Sequence, residues 1–135
     1  YHISLRHRNH LGIMTTAPVA VNTTPLGLDL TDAQTSTFGT NAQKSVFGTF
    51  PAEVMWAGDV NFDGELIYPG NGNDRDLILF AIGGVIPTNS VNGYRAEDVD
   101  LDGSVIYTGQ NNDRDIILQN IGGVVPTNTR VEQLP

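Results

Sequence analysis

Asp59, Asn61 and Asp63 stand at alternate positions before Gly64, and Asp98, Asp100 and Asp102 stand the same way before Gly103. This spacing suits a calcium ion, a hard cation that takes six to eight oxygens. A curling loop offers it the side chains at positions 1, 3 and 5, a glycine at position 6 for the sharp turn and a backbone carbonyl at position 7. Position 7 is Glu65 in one loop and Ser104 in the other, which is tolerable where only the carbonyl is used. An acidic residue should close the loop at position 12, but a plain count reaches Gly70 and Gly109. If six residues are inserted after position 8 (IYPGNG and IYTGQN), the closing residue becomes Asp76 or Asp115, and Asn73 or Asn112 falls at position 9. An asparagine there caps a helix and reaches the ion through water. The expected ligand set is therefore Asp59, Asn61, Asp63, Glu65, Asn73 and Asp76 for one calcium ion. For the second it is Asp98, Asp100, Asp102, Ser104, Asn112 and Asp115. The second site carries four acidic side chains among its loop positions 1, 3, 5 and 12 against three in the first, because Asp100 replaces Asn61.

The two loops belong to a duplication. Residues 59–89 and 98–128 align without a gap at an offset of 39 and are identical at 20 of 31 positions. After each closing aspartate comes a short apolar run, LILFAI or IILQNI, ended by Gly-Gly and then a proline. An acidic first turn and a glycine able to take the left-handed C-terminal position predict a helix in each copy, with Gly83 and Gly122 as its stops. A short buried strand would also fit the run itself. At about ten residues such helices are marginal alone, so Ile78, Ile82, Ile117 and Ile121 are expected to hold them by packing. Tyr68 and Tyr107, one in each insertion, are expected to pack as well, or else to lie exposed as binding contacts.

A calcium loop followed by one helix, repeated in tandem, resembles the dockerin module over residues 59 to about 123. The resemblance implies two calcium loop-helix repeats related by pseudo-twofold symmetry, without the entering helix of a full EF-hand. The six-residue insertion departs from that pattern. Asp74-Arg75 and Asp113-Arg114 occupy the positions where many dockerins carry their cohesin-recognition pair, so a cohesin partner is not implied. A longer string, from HRNHLGIMT through NAQK, MWAGD and NDRD to RVEQLP, is similar to the C-terminal regions of large secreted Bacteroidetes proteins labelled haemagglutinin-like.

Residues 1–58 read as β structure and loops. Strand candidates are the alternating Ile3 and Leu5, then APVAV, then TPLGLDL. The stretch from Thr31 to Pro51 lacks periodicity and reads as an ordered loop or short strands, with Phe38, Phe47 and Phe50 as expected anchors on a core. Too few strands are visible for a complete sandwich, so this segment is expected to lean on the repeats, to continue a preceding domain, or to pair with another molecule. The fold expected is α+β: a β-rich segment over 1–58, then a duplicated calcium-binding module over 59–135. His2, His7 and His10 lie near Arg6 and Arg8. A continuous strand would set His2 and His10 on one face and His7 on the other, so they read as polar surface residues and not as a metal or catalytic site.

Charge divides the chain at the same place. Residues 1–58 balance Asp29, Asp32 and Glu53 against Arg6, Arg8 and Lys44, so the whole net charge of −8 lies in 59–135. No basic patch favours nucleic acid. With no cysteine there is neither disulfide nor thiolate chemistry, and no apolar run approaches the roughly 18 residues of a membrane span. A chain starting at Tyr1 is expected to be a piece of a processed precursor, and calcium is the available staple outside the cell. No nucleophile elbow, phosphate loop or zinc helix is present, so no enzyme is expected. The expected function is a calcium-binding extracellular attachment module with a protein partner. The alternative is a subunit that self-associates into a calcium-stabilised filament or layer, and an accessory domain of a secreted hydrolase ranks below both.

Overall fold

The computed structural model describes residues 1–135, which form eight short strands in antiparallel pairs and two helices. This mixed α and β content agrees with the α+β expectation. In the N-terminal part, β1 (Ser4–His7) pairs with β2 (His10–Met14), and β3 (Gln43–Val46) pairs with β4 (Ala52–Met55). The hairpins touch through a bridge between His10 and Ala57 and a hydrogen bond from Leu11 N to Trp56 O.

Of the three N-terminal strand candidates, only part of the first is found, while the stretch from Thr31 to Pro51 does contain a short strand, β3. Neither APVAV nor TPLGLDL forms a strand; both run as exposed irregular chain. Their prolines, Pro18 and Pro25, lack the N–H that a ladder needs. The strand that buries apolar side chains is HLGIM, with Leu11 and Ile13 inside. Phe38, Phe47 and Phe50 are not anchors: they are 38%, 86% and 88% exposed. Tyr68 and Tyr107 do pack, half-buried against the core.

The duplicated part contains β5 (Glu65–Ile67), α1 (Arg75–Ala81), β6 (Ser90–Asn92), β7 (Ser104–Ile106), α2 (Asp113–Asn120) and β8 (Thr129–Val131). Both apolar runs are therefore helical. Asn73 Oδ1 accepts from Asp76 N and Asn112 Oδ1 accepts from Asp115 N, satisfying N–H groups that a first helical turn leaves free. The helices stop where Gly83 and Gly122 take φ of 109° and 120°, values that only glycine adopts without strain. The pairing of the strands is reciprocal: β6, from the tail of the first copy, pairs with β7 in the second loop, and β8, from the tail of the second copy, pairs with β5 in the first loop. Ser90 faces Ile106 and Thr129 faces Ile67, so the registers correspond at the 39-residue offset.

Ile78, Ile82, Ile117 and Ile121 are all buried, as the spacing predicts. Three of them join Val60, Val99 and Val105 in the main core. The fourth, Ile121, meets Leu66 and Leu11 in a second cluster, so a strand of the N-terminal segment seals the repeats. That segment leans on the duplicated part in polar ways too. Asn9, fully buried, donates through Nδ2 to the backbone oxygens of Ala96 and Asp98.

Candidate metal centre

The two acidic loops curl by matched devices. In the first, Asp59 accepts from the N–H groups of Asp63 and Gly64, while Asn61 accepts from Asp63 and Asp63 from Glu65. In the second, Asp98 accepts from Gly103, Asp100 from Asp102 and Asp102 from Ser104. Position 4 of each loop pays for the curl in strain: Phe62 and Leu101 sit at φ 66° and 64°, a left-handed conformation that costs such residues about 1–2 kcal/mol. Glu65 and Ser104 open β5 and β7.

Each loop is tied to its helix by an aspartate that the spacing argument passes over. Asp74 is fully buried, with Oδ1 accepting from Val60 and Asn61 and Oδ2 accepting from Ile67. Asp113 repeats this with Val99, Asp100 and Ile106. Burial pushes the Asp74 carboxyl up to about 7 and that of Asp113 to about 6, against the pull of those backbone donors. Burial raises Asp59 and Asp100 as well. A cation favours the charged form of such carboxylates, so these loops are where one contributes most.

In the second loop Asp98, Asp100 and Asp113 each offer an oxygen, all within 4.8 Å of one another, and this triad could hold a metal ion. Asp98 is 2% exposed, and its Oδ1 has no hydrogen-bond partner although it lies buried. A buried carboxylate oxygen without a donor is costly unless a cation meets it. Its other oxygen, Oδ2, takes Gly103 N and lies 3.5 Å from the Arg8 guanidinium.

The structure therefore brings together two of the expected second-site residues, Asp98 and Asp100, with one unexpected, Asp113. The expected closing residues lie further out. Asp115 pairs with Arg114 and Asn112 and shares with Asp100 and Asn112 a polar depression of about 340 Å³. Asp76 pairs with Arg75 and Asn73, and its side chain is 57% exposed. The Asn73 hydrogen bond, followed by Arg75, holds its carboxyl below the usual range. In the first loop Asn61 turns its amide group onto Asp63 Oδ2 and Gly72 O, closing with hydrogen bonds what Asp100 leaves as an oxygen donor in the second. Asp102, Ser104 and Asn112 stand outside the triad.

A sequence signal for Asp74 and Asp113 does exist. They precede Ile78 and Ile82, and Ile117 and Ile121, by four and eight residues, so they share the helical stripe that the core buries. The chain matches no family model, and no curated protein and no solved structure is significantly similar to it.

Proposed function

We propose that this chain is a non-catalytic calcium-binding structural and attachment module of a larger secreted or cell-surface protein, holding one calcium ion in each acidic loop. The observation that carries the reading is Asp98, which has a buried and unpartnered oxygen and forms one triad with Asp100 and Asp113. Oxygen-only donors suit a hard cation over zinc or copper. Asp102, the Ser104 carbonyl and Asp115 complete the second site, and Asp59, Asn61, Asp63, the Glu65 carbonyl, Asp74 and Asp76 make the first. The dockerin-like arrangement, two loop-helix units about a pseudo-twofold axis, draws support from the reciprocal pairing of β5 with β8 and β6 with β7.

Attachment draws support from apolar side chains at equivalent places. Val85 and Val124, which follow the two Gly-Gly stops, are 85% and 87% exposed. Phe47 and Phe50 are equally bare. The same features favour the second reading, self-association into a filament or layer, through the exposed edge strand β1. No helix is long and apolar enough to cross a membrane.

Titration calorimetry of chelator-stripped protein, with light scattering on the same samples, tests both readings. Two binding events are expected, the second loop filling first, at dissociation constants on the order of 10⁻⁴–10⁻³ M for an extracellular module. At about 100 times the dissociation constant each site adds roughly 2.7 kcal/mol of stability. Absence of both heat and a melting shift would refute calcium binding. Scattering that rises only with calcium would select self-association over a distinct partner.

A further inference from the structure

The geometry points to a second and chemically different metal site, formed by His7, Asn9 and His10 at the turn between β1 and β2, that takes a late first-row divalent cation, copper(II) before nickel(II). It is independent of the calcium reading, because none of its donors belongs to an acidic loop.

The turn folds His7 back onto His10, overriding the opposite-face placement that a continuous strand would give. The two are register partners and their rings meet edge to face, with centroids 4.6 Å apart. Three donor atoms converge: His7 Nδ1 lies 2.9 Å from His10 Nδ1 and 3.1 Å from Asn9 Oδ1, and His10 Nδ1 lies 2.7 Å from Asn9 Oδ1. Asn9 cannot rotate its amide to relieve this, since Nδ2 is committed to Ala96 O and Asp98 O. Protons satisfy the triangle only in part. With both Nδ1 atoms protonated, Asn9 Oδ1 accepts from each, but the two N–H groups then stand 2.9 Å apart with no bond between them. With one protonated, the other nitrogen turns its lone pair on the asparagine oxygen. A cation satisfies all three.

The separations select the cation. Ligands about 2.0–2.1 Å from a metal and at right angles stand about 2.8–3.0 Å apart, matching the triangle; a tetrahedral zinc would spread them to about 3.3–3.4 Å. Calcium, at 2.3–2.6 Å, would spread them to about 3.3–3.7 Å even at right angles. Three donors at mutual right angles form one face of an octahedron, so a tetragonally elongated copper(II) takes two of them in its plane and the third along its axis, and for such nitrogen and oxygen donors copper(II) binds more tightly than nickel(II). Burial, reinforced by His7 and Arg8, holds the His10 imidazole down to about 4, so its ring is neutral and able to ligate at neutral pH. The Arg8 guanidinium lies 3.5 Å from His7 Nε2 and can only donate there, so a cation on Nδ1 moves the His7 proton to Nε2 and this long contact is given up, leaving Arg8 to Asp98. Both histidines line a cleft of about 630 Å³, together with Leu5, Ile13, Asp100 and Leu101.

The test is electron paramagnetic resonance of calcium-saturated protein given less than one equivalent of copper(II), so that the acidic loops are already filled. The spectrum should show coupling to two imidazole nitrogens. His7→Gln and His10→Gln should each reduce this to one and weaken copper binding about tenfold or more, while His2→Gln should change nothing. Unchanged spectra in the His7 and His10 variants, or loss in His2→Gln, would overturn the proposal. Should either variant fail to fold, NMR of the wild-type protein decides. Copper at a few per cent of an equivalent should broaden the ring signals of His7 and His10 first, and earlier broadening at His2 or at the acidic loops would refute the site.

Discussion

Replacing Asp113 by asparagine isolates the buried carboxylate that joins the second loop to its helix. The change keeps shape and volume but exchanges one oxygen for an NH₂ group. Asp113 Oδ1 accepts from Val99 at 2.6 Å and Asp100 at 3.3 Å, and Oδ2 accepts from Ile106 at 2.7 Å. Whichever way the amide is placed, at least one buried backbone N–H then faces a donor, at about 1–3 kcal/mol, and the remaining bonds lose their charge assistance at roughly 0.5–1 kcal/mol each. The amide escapes the desolvation cost that raises the Asp113 carboxyl, which offsets part of this, so the expected loss is about 1–2 kcal/mol. For a chain of this size that lowers the melting temperature by roughly 5 °C. The assay is thermal and denaturant unfolding at pH 8 in chelator, where the wild-type carboxylate is charged and no metal contributes. Asp100→Asn serves as the control, since Asp100 accepts one N–H in the loop and an asparagine oxygen can do the same. It should leave chelator-form stability within about 0.5 kcal/mol while weakening calcium binding. An Asp113→Asn protein that melts within a degree of wild type in chelator would refute the idea that this carboxylate holds the loop.

Three further outcomes are expected. Asn61→Asp should raise the calcium affinity of the first loop toward that of the second, because a carboxylate replaces an amide that now donates to Asp63 and Gly72; calorimetry would show the two binding steps drawing together. Ile78→Ala and Ile117→Ala, both at fully buried positions, should each cost about 2–5 kcal/mol in denaturant unfolding, with or without calcium. Leu101→Gly should relieve the left-handed strain at position 4 and stabilise the folded chain by up to about 1 kcal/mol, read as a shift in denaturant midpoint, although glycine costs backbone entropy elsewhere.

What the sequence reveals depends on whether the physical signal is local. The helices are legible because their caps and stops, Asn73 with Gly83 and Asn112 with Gly122, lie within a few residues of the apolar runs they bound. The core isoleucines follow from helical spacing. The N-terminal strands are less legible, because Leu11 becomes buried only where His10 bridges Ala57 and the repeats supply Leu66 and Ile121. Asp74 and Asp113 are obscured for a different reason. Motif counting asks which residues face the ion, whereas burial asks which face the core, and these two aspartates lie on the core stripe. The convergence of His7 and His10 is likewise invisible to strand periodicity, since it needs the chain to reverse between them.

The duplicated loops begin from nearly the same sequence, and their differences trace to what the N-terminal hairpin touches. The side chains of Asn9 and Arg8 reach the second loop, whereas the first receives only the Asn9 backbone oxygen, which accepts from Gly58 N just ahead of Asp59. Asn9 fixes the backbone at Ala96 and Asp98, while Arg8 lies across Tyr94, donates to Arg95 O and approaches Asp98 Oδ2. The two opening aspartates then diverge. Asp59 takes N–H groups on both oxygens, from Asp63 and Gly64. Asp98 takes Gly103 on one and leaves the other free. In the first loop the amide of Asn61 further closes the ring of hydrogen bonds onto Asp63 and Gly72, so the first loop is internally satisfied and the second holds an oxygen in reserve. A cation entering the second loop removes an existing cost, whereas one entering the first must displace hydrogen bonds already made. On the proposed calcium reading that difference orders the filling of the two loops, and it makes the hairpin that carries His7, Asn9 and His10 the element through which the N-terminal segment bears on the second loop.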